Sequence, residues 1–175
     1  MSETIAVGII GAGANTRLHH IPKLRAQADV KIHGVVNRSR ASSEQAAQEL
    51  DIPVVYDHWQ EAVDDPATQA MVIGTWPYLH APATIAALEA GKHVLTEARM
   101  ACTAAEAHAM WAAARNHPEL TAQIVPSPMS LGVDRTVRRL LAESWLGDLW
   151  FIEHTEAAPF PAESGKSVSL PFTLD

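Results

Sequence analysis

The run Ile5-Ala6-Val7-Gly8-Ile9-Ile10-Gly11-Ala12-Gly13-Ala14-Asn15-Thr16 constrains this chain more than any other stretch. An apolar, strand-like segment meets a Gly-x-Gly turn, and a helical pattern begins at once. Strand, tight turn and helix N-terminus in that order form the arrangement that holds a pyrophosphate in dinucleotide-binding folds. Gly11 permits the sharp turn, because glycine tolerates backbone angles that a side chain forbids. Gly13 lets a phosphate oxygen approach main-chain N–H groups at the positive end of the helix dipole. The third glycine of the usual fingerprint is replaced by Thr16. A threonine there is expected to hold helix and strand slightly further apart and to offer its hydroxyl to a phosphate.

Strand-like and helical segments alternate beyond the turn. A helix is expected over Asn15–Gln27, kinked at Pro22, then a strand over Val30–Asn37. Ser42 and Gln45 stand at capping-box spacing and are read as opening a helix that runs to Leu50. A short strand follows at Ile52–Tyr56, a small helix at Trp59–Val63 and a strand at Ala70–Thr75. The helix Pro82–Ala90 is stopped by Gly91, and Lys92–Thr96 is the next strand. Thr103 and Glu106 form a second capping box for a helix to Asn116, and Thr121–Val125 closes the series. This rhythm predicts an α/β fold, a doubly wound parallel sheet of the Rossmann kind, over residues 1–125. The near-continuous apolar strands fit a sheet covered on both faces.

Pro126-Ser127-Pro128 is a breaker cluster and marks a boundary. Residues 126–175 then read as a rudimentary C-terminal helix–strand extension, the incomplete start of a second domain for substrate or oligomerisation. It comprises an amphipathic helix, Asp134–Ser144, with Arg135, Arg138 and Arg139 on its polar side. A strand from Leu149 to Ile152, reaching towards Thr155, comes next, followed by an aperiodic tail from Ala157.

Composition limits the partners. A formal charge of -7 disfavours nucleic acid. The apolar runs are strand-sized and too short to span a membrane, and no signal peptide is visible. Cys102 is the single cysteine, so a cytoplasmic home is expected. Cys102, Met100, Met110 and Trp111 are read as packing residues. The nine histidines contain no i, i+4 pair, so no metal site is assigned.

Candidate binding residues cluster at the carboxyl ends of strands, where ligands gather in such sheets. After the second strand stand Asn37-Arg38-Ser39-Arg40, with no acid to hold a ribose 2′-hydroxyl. These cations suit a 2′-phosphate, which favours NADP over NAD; a solvated basic loop is the competing reading. After the fourth strand come Thr75-Trp76-Pro77-Tyr78-Leu79-His80. Trp76 and Tyr78 can pack on a nicotinamide or adenine ring, Pro77 stiffens the turn, and His80 is either a ligand contact or a residue bonded to backbone.

The fifth strand ends in Val94-Leu95-Thr96-Glu97-Ala98-Arg99-Met100-Ala101. With Gly11-Ala12-Gly13, the Thr75–His80 turn and the run Ala81–Leu95, these residues resemble the glucose–fructose oxidoreductase, inositol dehydrogenase and rhizopine-catabolism (Gfo/Idh/MocA) family. The resemblance extends from Thr4 to about Thr155. It implies a Rossmann domain holding NAD or NADP, and hydride transfer on a sugar, polyol or related carbonyl. It further implies that Gly11, Ala12, Gly13, Asn15 and Thr16 line the pyrophosphate and that Asn37 and Arg38 face the adenosine ribose. Thr75, Trp76, Pro77 and His80 would flank the cofactor, and Glu97 would lie near the nicotinamide ribose.

Two departures from the family open an alternative. Its usual Glu-Lys-Pro, whose lysine helps catalysis, is here Glu97-Ala98-Arg99. Alanine transfers no proton, and Arg99 stays protonated, so Arg99 and His80 are the remaining catalytic candidates. Little of the family's substrate domain is present either. The second reading is therefore a catalytically impaired or truncated NAD(P)-binding module, a sensor, scaffold or fragment. Family members pair subunits through the second-domain sheet, so a homodimer, or coverage by the tail, is expected at Leu149–Ile152.

Overall fold

The computed structural model describes residues 4–126 and 133–151. The chain divides into two units, Met1–Pro128 and Met129–Asp175. In the first, β1 (Ile5–Ile10) runs into the glycine turn, and the chain is helical from Ala14. A π-helical turn, Thr16–His20, passes into α1 (Ile21–Arg25). The expected kink at Pro22 takes this form: the helical repeat changes just before the residue that cannot donate an N–H.

The remaining elements are β2 (Val30–Val36), α2 (Arg40–Glu49), β3 (Val54–Val55), α3 (Trp59–Asp64) and β4 (Ala70–Ile73). After a 3₁₀ turn at Pro77–Leu79 come α4 (His80–Glu89), β5 (His93–Thr96), α5 (Ala104–Asn116) and β6 (Ala122–Ile124). Among the described residues, six parallel strands form one sheet in the order β3-β2-β1-β4-β5-β6. The doubly wound expectation holds. Strand order reverses at β1, which pairs with β2 on one side and β4 on the other, so the crevice beyond their carboxyl ends is the switch point.

Alternate residues of each strand feed opposite layers. Ile10, Val36, Met71 and Ile73 pack with Leu88 in one core cluster, while Val7, Ile9, Val35 and Val72 pack with Ala46 and Ile52 in the other. Ile9 and Ile73 are fully buried, as a strand covered on both faces requires.

Several boundaries moved for local reasons. The first capping box lies at Ser39 and Ser42, not Ser42 and Gln45. Ser39 is extended (φ -139°, ψ 153°), its Oγ accepts from Ser42 N, and Ser42 Oγ accepts in return from Ser39 N. α2 thus starts at Arg40, inside the stretch read as a basic loop. The Thr103–Glu106 box is present as expected. α4 begins at His80, two residues before Pro82, because a proline is tolerated in a first turn whose N–H groups lack helical partners. Cys102 is exposed, not buried filler, and Trp111 is 58% exposed with Arg115 stacked over its ring. Met110 is core.

The amino edge of the sheet carries a buried polar network. Lys92, 8% exposed, donates from Nζ to Asp65 O at 2.8 Å and Thr68 O at 2.5 Å. Burial pulls its pKa down. The Asp65 carboxylate accepts from the Tyr56 hydroxyl at 2.6 Å and from Ala67 N at 2.8 Å, with His33 Nε2 at 3.2 Å. The Tyr56 hydroxyl, above all, holds Asp65 below the usual carboxylate range, and burial pushes the Tyr56 phenol up.

In the second unit α6 spans Asp134–Ala142, with Arg138 Nε 3.0 Å from Asp134 Oδ2 and the arginine face exposed. Leu149, Trp150 and Phe151 do not form the expected strand. A strand is made by pairing, and no neighbouring strand is present among the described residues of this unit. The rest of that prediction, at 152–155, and the tail lie outside the described residues. No helix among the described residues is long and apolar enough to cross a membrane.

Candidate functional site

A cleft of about 810 Å³ opens beyond the carboxyl ends of β1, β2 and β4. Its floor is the glycine turn. Gly11 has φ +93°, and a Cβ there would meet Gly74 O and Thr75 Cγ2 at 2.8 Å. Only glycine can make this turn. Gly13 differs: a Cβ on it would come no nearer than 3.8 Å to Gly74 O. The protein's own packing therefore does not demand glycine at 13, and the backbone there lies open to the cleft. That open approach, at the start of a helix, fits a pyrophosphate.

Thr16 behaves differently from its expectation. It is 1% exposed, and its Oγ1 donates to Gly11 O at 3.0 Å, so the hydroxyl is turned inward and not towards the cleft. Close packing of helix and strand is preserved by Gly74 instead, where a Cβ would fall 2.0 Å from Thr16 Oγ1 and 2.7 Å from Gly11 O. The third glycine of the fingerprint has in effect moved to the end of β4.

Of the predicted residues, Gly11, Ala12, Gly13, Asn15, Asn37, Arg38, Thr75 and Trp76 line the cleft, and Thr16, Pro77, His80, Glu97 and Arg99 do not. Asn37 is engaged structurally. Its Oδ1 accepts from Ala12 N at 2.8 Å and its Nδ2 donates to Ser42 O at 2.9 Å, tying the glycine turn to α2. Arg38 is exposed and, among the described residues, makes no ion pair. Arg40 is held by Glu44 Oε1 at 2.7 Å and Asp57 Oδ1 at 3.0 Å.

Glu97, at the end of β5, accepts from Asn15 Nδ2 and pairs with His20 Nε2. The side chains of His20 and Glu97 are only 11% and 13% exposed. This link joins the helix after the glycine turn to the end of β5, across the end of β4. His80 is fully buried, with Nδ1 2.7 Å from Arg99 O and Nε2 3.0 Å from Thr75 O. It braces the two loops that follow β4 and β5, so the backbone-bonded reading describes it. Ala98 and Arg99 are exposed, and the peptide between them is cis.

Sequence reasoning missed Asp57, His58 and Trp59, which close the cleft beside Arg38 and Ser42. The signal was available, because these residues directly follow β3 and the rule about carboxyl strand ends applies to it as well.

A model of the Gfo/Idh/MocA family, described as an oxidoreductase family with an NAD-binding Rossmann fold, matches residues 5–124. The bovine trans-1,2-dihydrobenzene-1,2-diol dehydrogenase is 29% identical over 165 residues, 94% of this chain and 45% of the relative. The scyllo-inositol 2-dehydrogenase (NADP(+)) of Bacillus subtilis is 30% identical over 112 residues, 64% of this chain and 30% of that enzyme. Among solved structures, scyllo-inositol dehydrogenase from Lactobacillus casei, with bound NAD(H) and scyllo-inositol, superposes with a TM-score of 0.68 at 22% identity. That match covers 83% of this chain and 43% of the other. This chain thus spans less than half the length of these relatives.

Proposed function

The chain belongs to the Gfo/Idh/MocA oxidoreductase family, and from that premise we propose that it binds NAD or NADP in the cleft above β1 and β4 and serves hydride exchange with a sugar, polyol or related ring alcohol. The observation that carries this reading is the open approach to Gly13 beside the strained turn at Gly11. A bound nicotinamide ring supplies the hydride acceptor or donor. The chain's own residues bind and orient: the backbone from Gly13 into the start of the helix receives the pyrophosphate, and Trp76 and Tyr78 offer aromatic faces to a flat ring. Exposed Arg38 receives the adenosine end, and its positive charge favours NADP. The substrate class is drawn from the relatives, whose named substrates are ring compounds bearing adjacent hydroxyls. We place the protein in the cytoplasm. We place a homodimer or tail contact at the segment where Trp150 and Phe151 are 95% and 79% exposed.

A second reading is favoured by the end of β5. Ala98 has no proton to exchange, and the His80 ring already faces two carbonyls. Hydride transfer to a carbonyl needs a proton donor, so the chain in this second reading is a dinucleotide-binding module that leaves acid–base chemistry to other residues. Calorimetric titration with NAD and NADP tests the binding shared by both readings, and micromolar affinity is expected. Absorbance change at the nicotinamide band with inositols, sugars and ring diols separates them. Turnover selects the oxidoreductase, whereas binding without turnover selects the module. Absence of binding by either dinucleotide sinks both.

A further inference from the structure

The geometry points to Asp57 as a residue that sets the choice between NAD and NADP, acting through its ion pair with Arg40. The inference rests on the dinucleotide reading of the cleft. Two arginines follow β2, but they stand differently. Arg38 lines the cleft. Arg40 does not, because its guanidinium is drawn off by Glu44 and by Asp57, which does line it. Asp57 thus shares a wall with Arg38 and Ser42, where the resemblance puts the adenosine ribose.

A carboxylate at that wall discriminates. It accepts a hydrogen bond from a ribose 2′-hydroxyl, as the acid after β2 does in NAD-binding relatives of this fold, and it repels a 2′-phosphate. Arg40 has the opposite preference. The pair links the two: while Arg40 grips Asp57 it neutralises the acid, and when a phosphate draws Arg40 away, Asp57 is left unpaired in the cleft. The side chains of Arg40 and Asp57 are 51% and 55% exposed, and ion pairs that open to solvent hold weakly. A phosphate near two negative charges competes well for such a guanidinium. The acid usually found at the end of the second strand has thus been replaced, in space, by one from the β3–α3 loop.

The test is calorimetric titration of the full chain with NAD and with NADP for the parent, Asp57→Asn, Asp57→Ser and Asp57→Asn combined with Arg40→Gln. Asp57→Asn is expected to raise the ratio of NADP to NAD affinity about ten-fold, one charge-assisted hydrogen bond's worth. Asp57→Ser, which keeps a small polar group, is expected to move it the same way. The double variant should lose much of this gain, the share that comes from a released Arg40. The gain should shrink between low and high salt, as interactions of exposed charges do. A ratio unchanged in both single variants overturns the assignment while leaving dinucleotide binding intact. A gain that survives in full without Arg40 overturns the route through the pair. Failure of the parent to bind either dinucleotide removes the underlying reading, and this assignment with it.

Discussion

At the amino edge of the sheet, Lys92 is 8% exposed and both of its bonds go to main-chain carbonyls, while Asp65 is met by Tyr56, Ala67 and His33. At the carboxyl edge, Trp76 is 74% exposed, Tyr78 is 64% exposed and Arg38 has no ionic partner among the described residues. The groups named at the first edge are saturated, whereas these three at the second are left available among others, such as Glu97 and Arg40, that the protein pairs itself. A buried polar group stabilises only when its partners are complete. A binding group is useful only when its partners are not the protein's own. Substitutions at the amino edge should therefore change stability and leave dinucleotide affinity alone, and those at the carboxyl edge should do the reverse.

The glycine turn breaks this division, because there the same atoms serve both purposes. Gly74→Ala should give the largest effect. Its Cβ would fall 2.0 Å from Thr16 Oγ1 and 2.7 Å from Gly11 O, and relief needs backbone movement. We expect a loss of about 3 kcal/mol or more in unfolding free energy, of the size seen for severe overpacking, with dinucleotide affinity lost as well. Adding Thr16→Ala should restore part of the stability, since it removes the nearer clash and leaves the one with Gly11 O. Urea unfolding of the parent and these two variants measures this. Equal stability of Gly74→Ala and the parent would show that Gly74 has not taken over the packing role of the missing third glycine.

Lys92→Met comes next. The methionine fills much the same volume but leaves the buried Thr68 O without its donor, while Asp65 O keeps those from Thr68 N and Thr68 Oγ1. We expect a loss of about 2 kcal/mol, in the range for orphaned buried acceptors, with NAD and NADP affinities unchanged. Tyr56→Phe should cost about 1.5 kcal/mol near neutral pH, because it removes a hydrogen bond to a charged acceptor. This difference depends on pH with a definite sign. Asp65 has a folded-state pKa below its unfolded value, chiefly through Tyr56. Its stabilising contribution is complete above the unfolded carboxylate pKa of about 4 and disappears as pH falls through the folded value. Parent and Tyr56→Phe should therefore converge in stability as unfolding is followed from pH 7 to pH 2. A gap that stays constant would exclude the Tyr56–Asp65 bond as its cause.

The same division explains what could be read from the sequence. The alternation of strands and helices, the turn at Gly11 and the capping box at Thr103 were legible because each depends on residues close in sequence. The role of Gly74 was not, because it is defined by Thr16, which arrives from another element. Thr16 and Asn37 were assigned to the ligand as polar groups in the right place. Their hydrogen bonds to Gly11 O, Ala12 N and Ser42 O depend on which neighbours the fold supplies. The sequence offers His80 two roles, and burial decides between them. Asp57 and His58 follow directly on the strand expected at Ile52–Tyr56, but their place in the cleft depends on Arg38 and Ser42, which the fold brings beside them. The resemblance to the family could not show that Glu97 is paired with His20, because that contact depends on a residue outside the motifs that carry it.

The smallest effect on stability is expected at Trp76, where it is most informative. Its ring is 74% exposed at the cleft mouth, so truncation removes little packing. Trp76→Ala should alter unfolding free energy by no more than about 0.5 kcal/mol, as exposed positions generally do. If the ring stacks on a base or on the nicotinamide, affinity should fall about ten-fold, within the 1–3 kcal/mol range measured when base–aromatic stacking is removed. Stacking on a flat ring takes no account of a 2′-phosphate, so NAD and NADP should weaken together and their ratio should stay fixed. This contrasts with Asp57, where the ratio moves. Calorimetry with both dinucleotides and urea unfolding of the same variant measure all three quantities. A fall in stability with unchanged affinity would place Trp76 with the amino-edge residues, and the contrast between the two edges would fail at the residue chosen to represent it.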